Sequence, residues 1–415
     1  MVIIMLGIKL DGKKDISLKE KFNTFDNPKI VKIPLIQGKI SYEAILKKDD
    51  SVSIGSIIGK CIKYDLPLFS SVSGKIKNID NNFITIENDG KYSLDYRVEK
   101  NNIDNKNDFI NLIRNKGIVG LSGSMYPTYL KYNNSQFDVL IVNGVECEPY
   151  NTADYTVMVN YFDNIISVLE LMINLFDIKE CFIAINGKNK YLKEMIRTKL
   201  SDNERIKLVL IPDFYPMGWS RNLVRYIKHT DYDKHTIEKG IIINNVSTIY
   251  SIYEAIFLNK PLIDRIVTFT GDALNKPCNI RVRFGTSIKD VIEYIGGYKK
   301  QSAVIISSGP MMGYNLENDE GVITSSLTSF IALSHSNDEK TLKCLRCGKC
   351  IENCPAKIYP VLVKDNINNI DELKRLSVNK CIGCGICSYV CPAKINLREY
   401  VEKARSELNE IHKSK

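Results

Sequence analysis

Two cysteine quartets near the C-terminus constrain this chain more than any other feature. The sequence reads CLRCGKCIENCP and, after a further 25 residues, CIGCGICSYVCP. Each quartet has the C-x2-C-x2-C-x3-C-P spacing of an iron–sulfur ligand set, and the pair has the spacing of a two-cluster, bacterial-type ferredoxin domain. Three cysteines at two-residue intervals wrap a tight loop around one face of a cubic cluster. Gly348 and Gly385 relieve crowding in that loop. The fourth cysteine precedes Pro355 or Pro392, which turns the chain away. In two-cluster domains the fourth cysteine ligates the other cluster. The expected sets are therefore Cys344, Cys347, Cys350 and Cys391 for one [4Fe–4S] cluster, and Cys381, Cys384, Cys387 and Cys354 for the other. Zinc ribbons use paired CxxC hooks, not two quartets ending in Cys-Pro. Single-electron transfer is the implied chemistry.

The quartets use eight of 12 cysteines. The others, Cys61, Cys147, Cys181 and Cys278, are far apart and read as reduced thiols. A length of 415 residues implies about three domains. The formal charge is +9, and two oxidised clusters with their thiolates, at about −2 each, bring it to about +5. Lysine is scattered without a basic arm, so no nucleic-acid partner is expected. A basic face suits an anionic leaflet or an acidic partner. The opening MVIIMLG is too short to span a bilayer and lacks the basic flank of a signal peptide. With no run of 18 apolar residues elsewhere, direct membrane insertion is not expected, and attachment would run through partners.

The rhythm of the chain changes three times. Residues 28–100 alternate apolar and polar positions between Gly and Asp-Asp turns, as short strands do. The segments KKDDSVSIGSIIGK and SSVSGKIKNI look like the half-repeats of a barrel-sandwich domain. No carrier-type lysine hairpin lies between them, so the domain reads as structural. From about residue 105 strands and helices alternate, with DVLIVNG, KECFIAING and IKLVLIP as buried strands. A helix of apolar period runs from about Tyr155 to Leu175. This is a Rossmann-like αβ unit. From Arg265 a strand–turn–strand–helix pattern begins a β-grasp module. The polar connector SHSNDEKTLK then leads to the quartets. The expected class is multidomain α+β and α/β. The four domains are a barrel-sandwich hybrid (1–103), a Rossmann-like αβ domain (104–258), a β-grasp domain with its connector (259–335), and a two-cluster ferredoxin domain (336–415).

Two loops of the αβ unit carry site chemistry. In GIVGLSGSMYPTYLKY, Gly117, Gly120 and Gly123 let backbone N–H groups approach a phosphate, and Lys131 adds charge. In NGVECEPYNTAD, Asn143, Glu146 and Glu148 follow a strand, where a doubly wound sheet places its ligands. Together the loops resemble the flavin- and NADH-binding subunit of respiratory complex I and, more closely, the RnfC family of the Rnf ion-translocating electron-transport complex. The latter family reads GLGGAGFPTHVK and NGAECEPYLTAD where this chain has GLSGSMYPTYLK and NGVECEPYNTAD. The segments YPMGWSRNLV, GIIINNVSTIYSIYEAI, PLIDRIVTFTGDAL and SSGPMMG extend the likeness over nearly the whole chain.

The resemblance implies bound FMN as cofactor beside the two clusters and NADH as substrate. It implies membrane subunits of an Rnf-type complex, and ferredoxin or another redox protein, as partners. The expected place is peripheral, on the cytoplasmic face of the bacterial inner membrane. A flavin is needed because NADH delivers two electrons together and each cluster takes one. The chain departs from the family at Ser122, Ser124, Met125 and Tyr126, at Trp219 for a glycine and at Ser220 for a glutamate. LGIKLDGKK stands where the family has a GGIHP-like segment. These departures keep a second reading open: a soluble relative feeding a dedicated reductase, like the proline-reductase-associated carrier or cobalamin reductase.

Overall fold

The computed structural model describes residues 7–133, 136–232, 235–336 and 339–413. The apolar opening, residues 1–6, and residues 337–338 of the polar connector lie outside the described residues. Near the N-terminus, Ile30–Pro34, Phe83–Asn88, Gly74–Ile79 and Ser51–Val52 form a four-stranded antiparallel sheet in that order. Alternate residues Val31, Ile33, Ile84 and Ile86 point inward and are buried, the period-2 signature of a half-buried strand. A three-stranded sheet, Glu43–Ala44, Ile57–Cys61 and Leu66–Phe69, completes this barrel-sandwich unit.

The αβ unit is a four-stranded parallel sheet with spatial order Ile206–Ile211, Glu180–Asn186, Val139–Gly144, Ile241–Asn245. In chain order this is third, second, first, fourth. Leu140 and Val142 face the helices Ala153–Phe176 and Val246–Phe257, while Val139 and Ile141 face Leu223 and Val224 of Ser220–Lys228. The sheet is thus covered on both sides, as continuous apolar strands require. Among the described residues only Ala153–Phe176 is long and apolar enough to cross a membrane, and half of its most apolar window is buried. Its stripe of Val157, Phe162, Ile165, Leu169 and Met172 belongs to the core of this unit.

The β-grasp unit is a six-stranded mixed sheet in the order Asn23–Phe25, Cys278–Arg283, Asp264–Thr270, Ser329–Leu333, Val304–Ser307, Tyr314–Leu316. Its edge strand comes from far upstream, with Asn23 opposite Ile280 in a parallel pair. A buried ion cluster ties this sheet to the αβ unit. Lys260 Nζ lies 2.7 Å from Asp264 and 3.0 Å from Glu254, and Arg281 lies 2.8 Å from Asp264. Burial opposes the charge of Asp264, yet Arg281 and Lys260 hold its carboxyl below the usual range.

The ferredoxin unit follows. Its two short helices, Lys349–Glu352 and Ile386–Tyr389, each start from a glycine in the left-handed region, Gly348 at φ 79° and Gly385 at φ 74°. Its last helix, Leu397–Lys413, presents Arg398 to the hairpin loop 308–313 of the β-grasp unit. The guanidinium donates to Met311 O (2.8 Å), Gly313 O (2.7 Å) and Met312 O (2.7 Å). Charge-assisted bonds of this kind contribute about 1.5–3 kcal/mol when one partner is removed. Replacing Arg398 with Ala should weaken docking of the ferredoxin unit by roughly 2–3 kcal/mol. Faster hydrogen exchange at 308–313 and faster proteolysis at the connector, with iron content unchanged, would show this; unchanged exchange would count against it.

Candidate functional site

A doubly wound sheet places ligands where its strand order reverses, beyond the carboxyl ends of the strands. Here the reversal lies between Val139–Gly144 and Ile241–Asn245. The acid loop leaves the first of these strands. The second ends in Asn244 and Asn245, with Asn245 capping the helix Val246–Phe257 through Ser247 N. The glycine-rich loop leans on the same helix start, since Leu121 N donates to Thr248 Oγ1 at 3.0 Å. Both motif loops and a helix N-terminus therefore meet at the switch point, where backbone N–H groups and the helix dipole favour an anion.

The structure brings some expected site residues together and assigns others elsewhere. Gly123 has φ 95°, and the nearest atom to an added Cβ would be Ser326 O at 4.0 Å, so backbone conformation rather than space demands glycine there. Gly120 N and O both bond within the loop, to Tyr126 O and Met125 N. Gly117 ends the helix Lys106–Asn115 and packs against Phe69 and Pro67 of the barrel-sandwich unit, away from the switch point. Lys131 Nζ donates to Ile243 O (2.7 Å) and Asn244 Oδ1 (2.9 Å). Burial lowers its pKa to about 8. Thr128 Oγ1, one turn earlier, is buried without a partner among the described residues. A buried cation with only neutral acceptors, beside an unsatisfied hydroxyl, is a donor set that fits a phosphate monoester.

The acid loop is ordered by interactions that the motif does not reveal. Glu146 takes φ 42° and Tyr150 φ 68°, each costing of order 1 kcal/mol for a non-glycine residue. Glu146 Oε1 accepts Asp154 N at 2.8 Å, so the side chain caps the helix Ala153–Phe176. Burial raises its pKa to about 8. Asp154 accepts from Asn245 Nδ2 and Ser247 Oγ, both at 2.6 Å, and so joins the two strand ends. Asn143 Nδ2 donates to Gly218 O at 2.9 Å, and Gly218 N reaches Cys147 Sγ at 3.4 Å, so the YPMGW turn that carries Trp219 abuts this loop. Glu148 reaches out of the αβ unit: Oε1 accepts Met311 N (2.6 Å) and Met312 N (3.1 Å).

Two contributors are not among the expected site residues. Residues 7–14 form a strap: Ile8 exchanges backbone bonds with Tyr215, and Lys14 Nζ donates to Glu146 O (2.8 Å), Glu148 O (2.7 Å) and Asn151 O. A cleft of about 330 Å³ lies between strap and strand ends, lined by Lys13, Glu146, Cys147, Asn186, Asp213 and Tyr215. The second is the pair Asn244 and Asn245 within GIIINNVSTIYSIYEAI, a polar NN step between an apolar strand and a helix start.

The cysteines form two rings. Cys344, Cys347, Cys350 and Cys391 line one cavity of about 320 Å³. Cys354, Cys381, Cys384 and Cys387 line another, smaller one. Among the described residues no group of three or more His, Cys, Asp or Glu side chains is placed to hold a single metal ion. Four cysteines in each ring are the ligand number of a [4Fe–4S] cluster. Burial pushes the Cys384 and Cys387 thiols up to about 12, so they need the positive charge of iron to ionise. The inner ring adjoins the flavin-type motifs: Cys384 and Ile386 pack with Tyr215 and Met311, next to Cys147, and the Tyr215 hydroxyl donates to Cys384 O at 2.8 Å.

Comparison with known proteins agrees with this arrangement in order. Family models match the RnfC barrel sandwich hybrid domain at 3–92, the Nuo51 FMN-binding domain at 113–254, the SLBB domain at 266–315 and the 4Fe-4S dicluster domain at 338–396. Three relatives are C subunits of larger complexes. That of the proton-translocating ferredoxin:NAD(+) oxidoreductase complex of Clostridium ljungdahlii is 30% identical over 379 residues, covering 86% of this chain and 82% of that one. Its counterpart in the ion-translocating oxidoreductase complex of Rhodobacter capsulatus is 28% identical, covering 85% and 73%. The one from the Na(+)-translocating ferredoxin:NAD(+) oxidoreductase complex of Acetobacterium woodii is 27% identical, covering 86% of each. Among solved structures, an NAD+-reducing [NiFe]-hydrogenase in its H2-reduced state matches with TM-score 0.51 at 13% identity. The match covers 74% of this chain and 63% of that one, under two thirds of its length. The air-oxidised state of such a hydrogenase gives 0.53 at 12% identity, covering 74% and 66%. These two similarities show shared fold.

The strap supplies the one side-chain cation bonded to the acid-loop carbonyls among the described residues. Lys14→Met should therefore cost roughly 2–4 kcal/mol and speed hydrogen exchange at residues 146–152. Exchange there at the parent rate would mean that the loop holds its shape without the strap.

Proposed function

This chain belongs to the RnfC family, the C subunits of ion-translocating ferredoxin:NAD+ oxidoreductase complexes, and on that footing we propose how its residues carry out the work of such a subunit. It is an electron-transfer subunit, passing electrons between NADH and two [4Fe–4S] clusters by way of FMN, and on to membrane subunits that couple the flow to ion translocation. As part of that complex it is an NADH-linked oxidoreductase, with ferredoxin among the complex's partners. It is a peripheral part of the complex. Its place is the cytoplasmic face of the inner membrane, where NADH and reducing conditions for free thiols are both found.

When bound, FMN supplies the exchange between a two-electron hydride and single electrons, and the clusters relay the latter. The chain's residues bind and order these groups. Gly123 and the start of Val246–Phe257 present backbone N–H groups to the flavin phosphate, Gly120 shapes the loop through its bonds to Tyr126 and Met125, and Lys131 supplies the positive charge. Asn143, with the acid loop bearing Glu146 and Glu148, forms the wall toward the ring system. Glu146 acts chiefly by holding the loop against its helix, and Glu148 by holding the β-grasp loop against the site. Cys354, Cys381, Cys384 and Cys387 hold the inner cluster, and Cys344, Cys347, Cys350 and Cys391 the outer one. Packing of Cys384 against Tyr215 and Met311 is the observation that carries the path, because it sets the inner ring against the flavin domain with protein atoms instead of solvent between them.

Flavin retention tests this reading. Gly123→Val forces a β-branched residue to a φ of 95° and should abolish flavin retention while iron content stays intact. Affinity should also fall with pH. The Lys131 ammonium, whose pKa burial lowers to about 8, is the form that attracts phosphate, so rising pH removes it. One-proton linkage gives a Kd rising about fivefold between pH 8 and pH 9. Ionisation of Glu146 in the same range works in the same direction, and Lys131→Met separates the two by removing the lysine contribution. Flavin bound equally well by the Gly123→Val protein at every pH would place the phosphate elsewhere.

A further inference from the structure

The two cysteine rings differ in what surrounds them. The inner ring is covered by Tyr215 and Met311. The outer ring faces away, and Cys347 is exposed. Apolar side chains stand open around it: Leu345 is 62% exposed, Leu342 55% and Tyr359 47%. Leu345 and Tyr359 line the same cavity as the four cysteines, and Leu342 N bonds to Ala393 O at 2.9 Å on its other wall. Arg346 and Lys349 line the cavity itself, and Lys343 adjoins Cys344 in the chain. Between residues 339 and 361 the chain carries Lys340, Lys343, Arg346, Lys349 and Lys357 against Glu339 and Glu352. Arg346 pairs with Asp365 at 2.8 Å, and Glu339 is taken by Lys394 at 2.7 Å. Among the described residues no ion pair holds Lys343 or Lys349. An apolar centre inside a charged rim is the layout of a protein contact, and one-sign charge around a small centre steers a brief encounter.

We infer that this rim is the docking face for a one-electron redox protein whose own contact surface is acidic. The inference rests on the electron-transfer reading above and adds the face through which electrons enter or leave and the charge of the protein that meets it. In each encounter one electron crosses between the partner's centre and the outer cluster, one being oxidised as the other is reduced. A second copy of this chain is disfavoured because it would bring the same positive rim. An anionic lipid surface would match the charge but would gain nothing from apolar residues gathered at a cysteine ring.

The test uses the full-length holoprotein and a purified acidic bacterial-type ferredoxin as probe. Its Kd is measured by biolayer interferometry at several salt concentrations. The variants are the double charge reversal Lys343→Glu/Lys349→Glu and, separately, Tyr359→Ser. The double variant should raise Kd about tenfold or more and flatten the salt dependence, as loss of rim charge does. Tyr359→Ser should raise Kd at all salt concentrations. Iron content and NADH-driven ferricyanide reduction should stay at the parent level in both. Failure of the parent to bind the ferredoxin, or equal Kd in parent and variants, overturns the inference. So does displacement of the ferredoxin by anionic phospholipid vesicles, or a dimer in sedimentation that the same substitutions dissolve. If the parent shows no NADH-driven reduction yet the binding changes appear, the electron-transfer reading fails and the docking face stands.

Discussion

One three-residue stretch, Met311 to Gly313, is gripped from both sides, and the geometry of the electron path depends on that grip. From the αβ unit, Glu148 accepts the N–H groups of Met311 and Met312. From the ferredoxin unit, Arg398 donates to the carbonyls of all three residues. The peptide dipoles of the stretch thus lie between a carboxylate and a guanidinium, each placed at the end that suits its charge. Glycine makes the approach possible. A Cβ on Gly385 would lie 2.5 Å from Met311 O, and one on Gly313 would lie still closer to Ser307 O. The two redox domains are therefore seated on one small hairpin of the β-grasp unit, which acts as their spacer.

The departures from the family motif become intelligible in this setting. Met125 stands where relatives of this motif have glycine, and it keeps the left-handed backbone of a glycine at φ 49°. Its methyl group reaches into the barrel-sandwich unit, where an added Cβ on Gly38 would meet Met125 Cε at 2.5 Å. The strain of that backbone is offset by a buried apolar contact that glycine lacks. Trp219 follows Gly218, whose N–H and carbonyl hold Cys147 and Asn143. The larger side chain thus enters at the turn without removing the backbone bonds that order the acid loop.

Some of this was legible in the sequence and some was not, for physical reasons. The cysteine spacings are legible because ligand chemistry restricts both residue type and interval, and the chain folds back to place Cys391 beside Cys344 and Cys354 beside Cys381. The buried parallel strands are legible because both faces are covered, leaving continuous apolar runs such as VLIV and III. The actual partners of Glu146 and Glu148 were not legible. A carboxylate reads the same whether it caps a helix, bridges two domains or faces a ligand, and only the fold brings Asp154 N or Met311 N to it. Lys14 reads as one lysine among many until the strap lays it on three carbonyls. The edge strand Asn23–Phe25 is three residues long and pairs with a strand some 250 residues away, beyond the reach of any local periodicity.

The central claim is that the inner ring stands between the flavin domain and the outer ring. It is tested most directly by rapid-freeze EPR of holoprotein mixed with NADH, comparing Cys347→Ser with Cys384→Ser. Each variant should lack one cluster. In Cys347→Ser the remaining inner cluster should be reduced as fast as in the parent. In Cys384→Ser the remaining outer cluster should stay oxidised on that time scale, although the flavin absorbance still bleaches. Fast reduction of the outer cluster in Cys384→Ser, with a silent inner cluster in Cys347→Ser, would contradict the account.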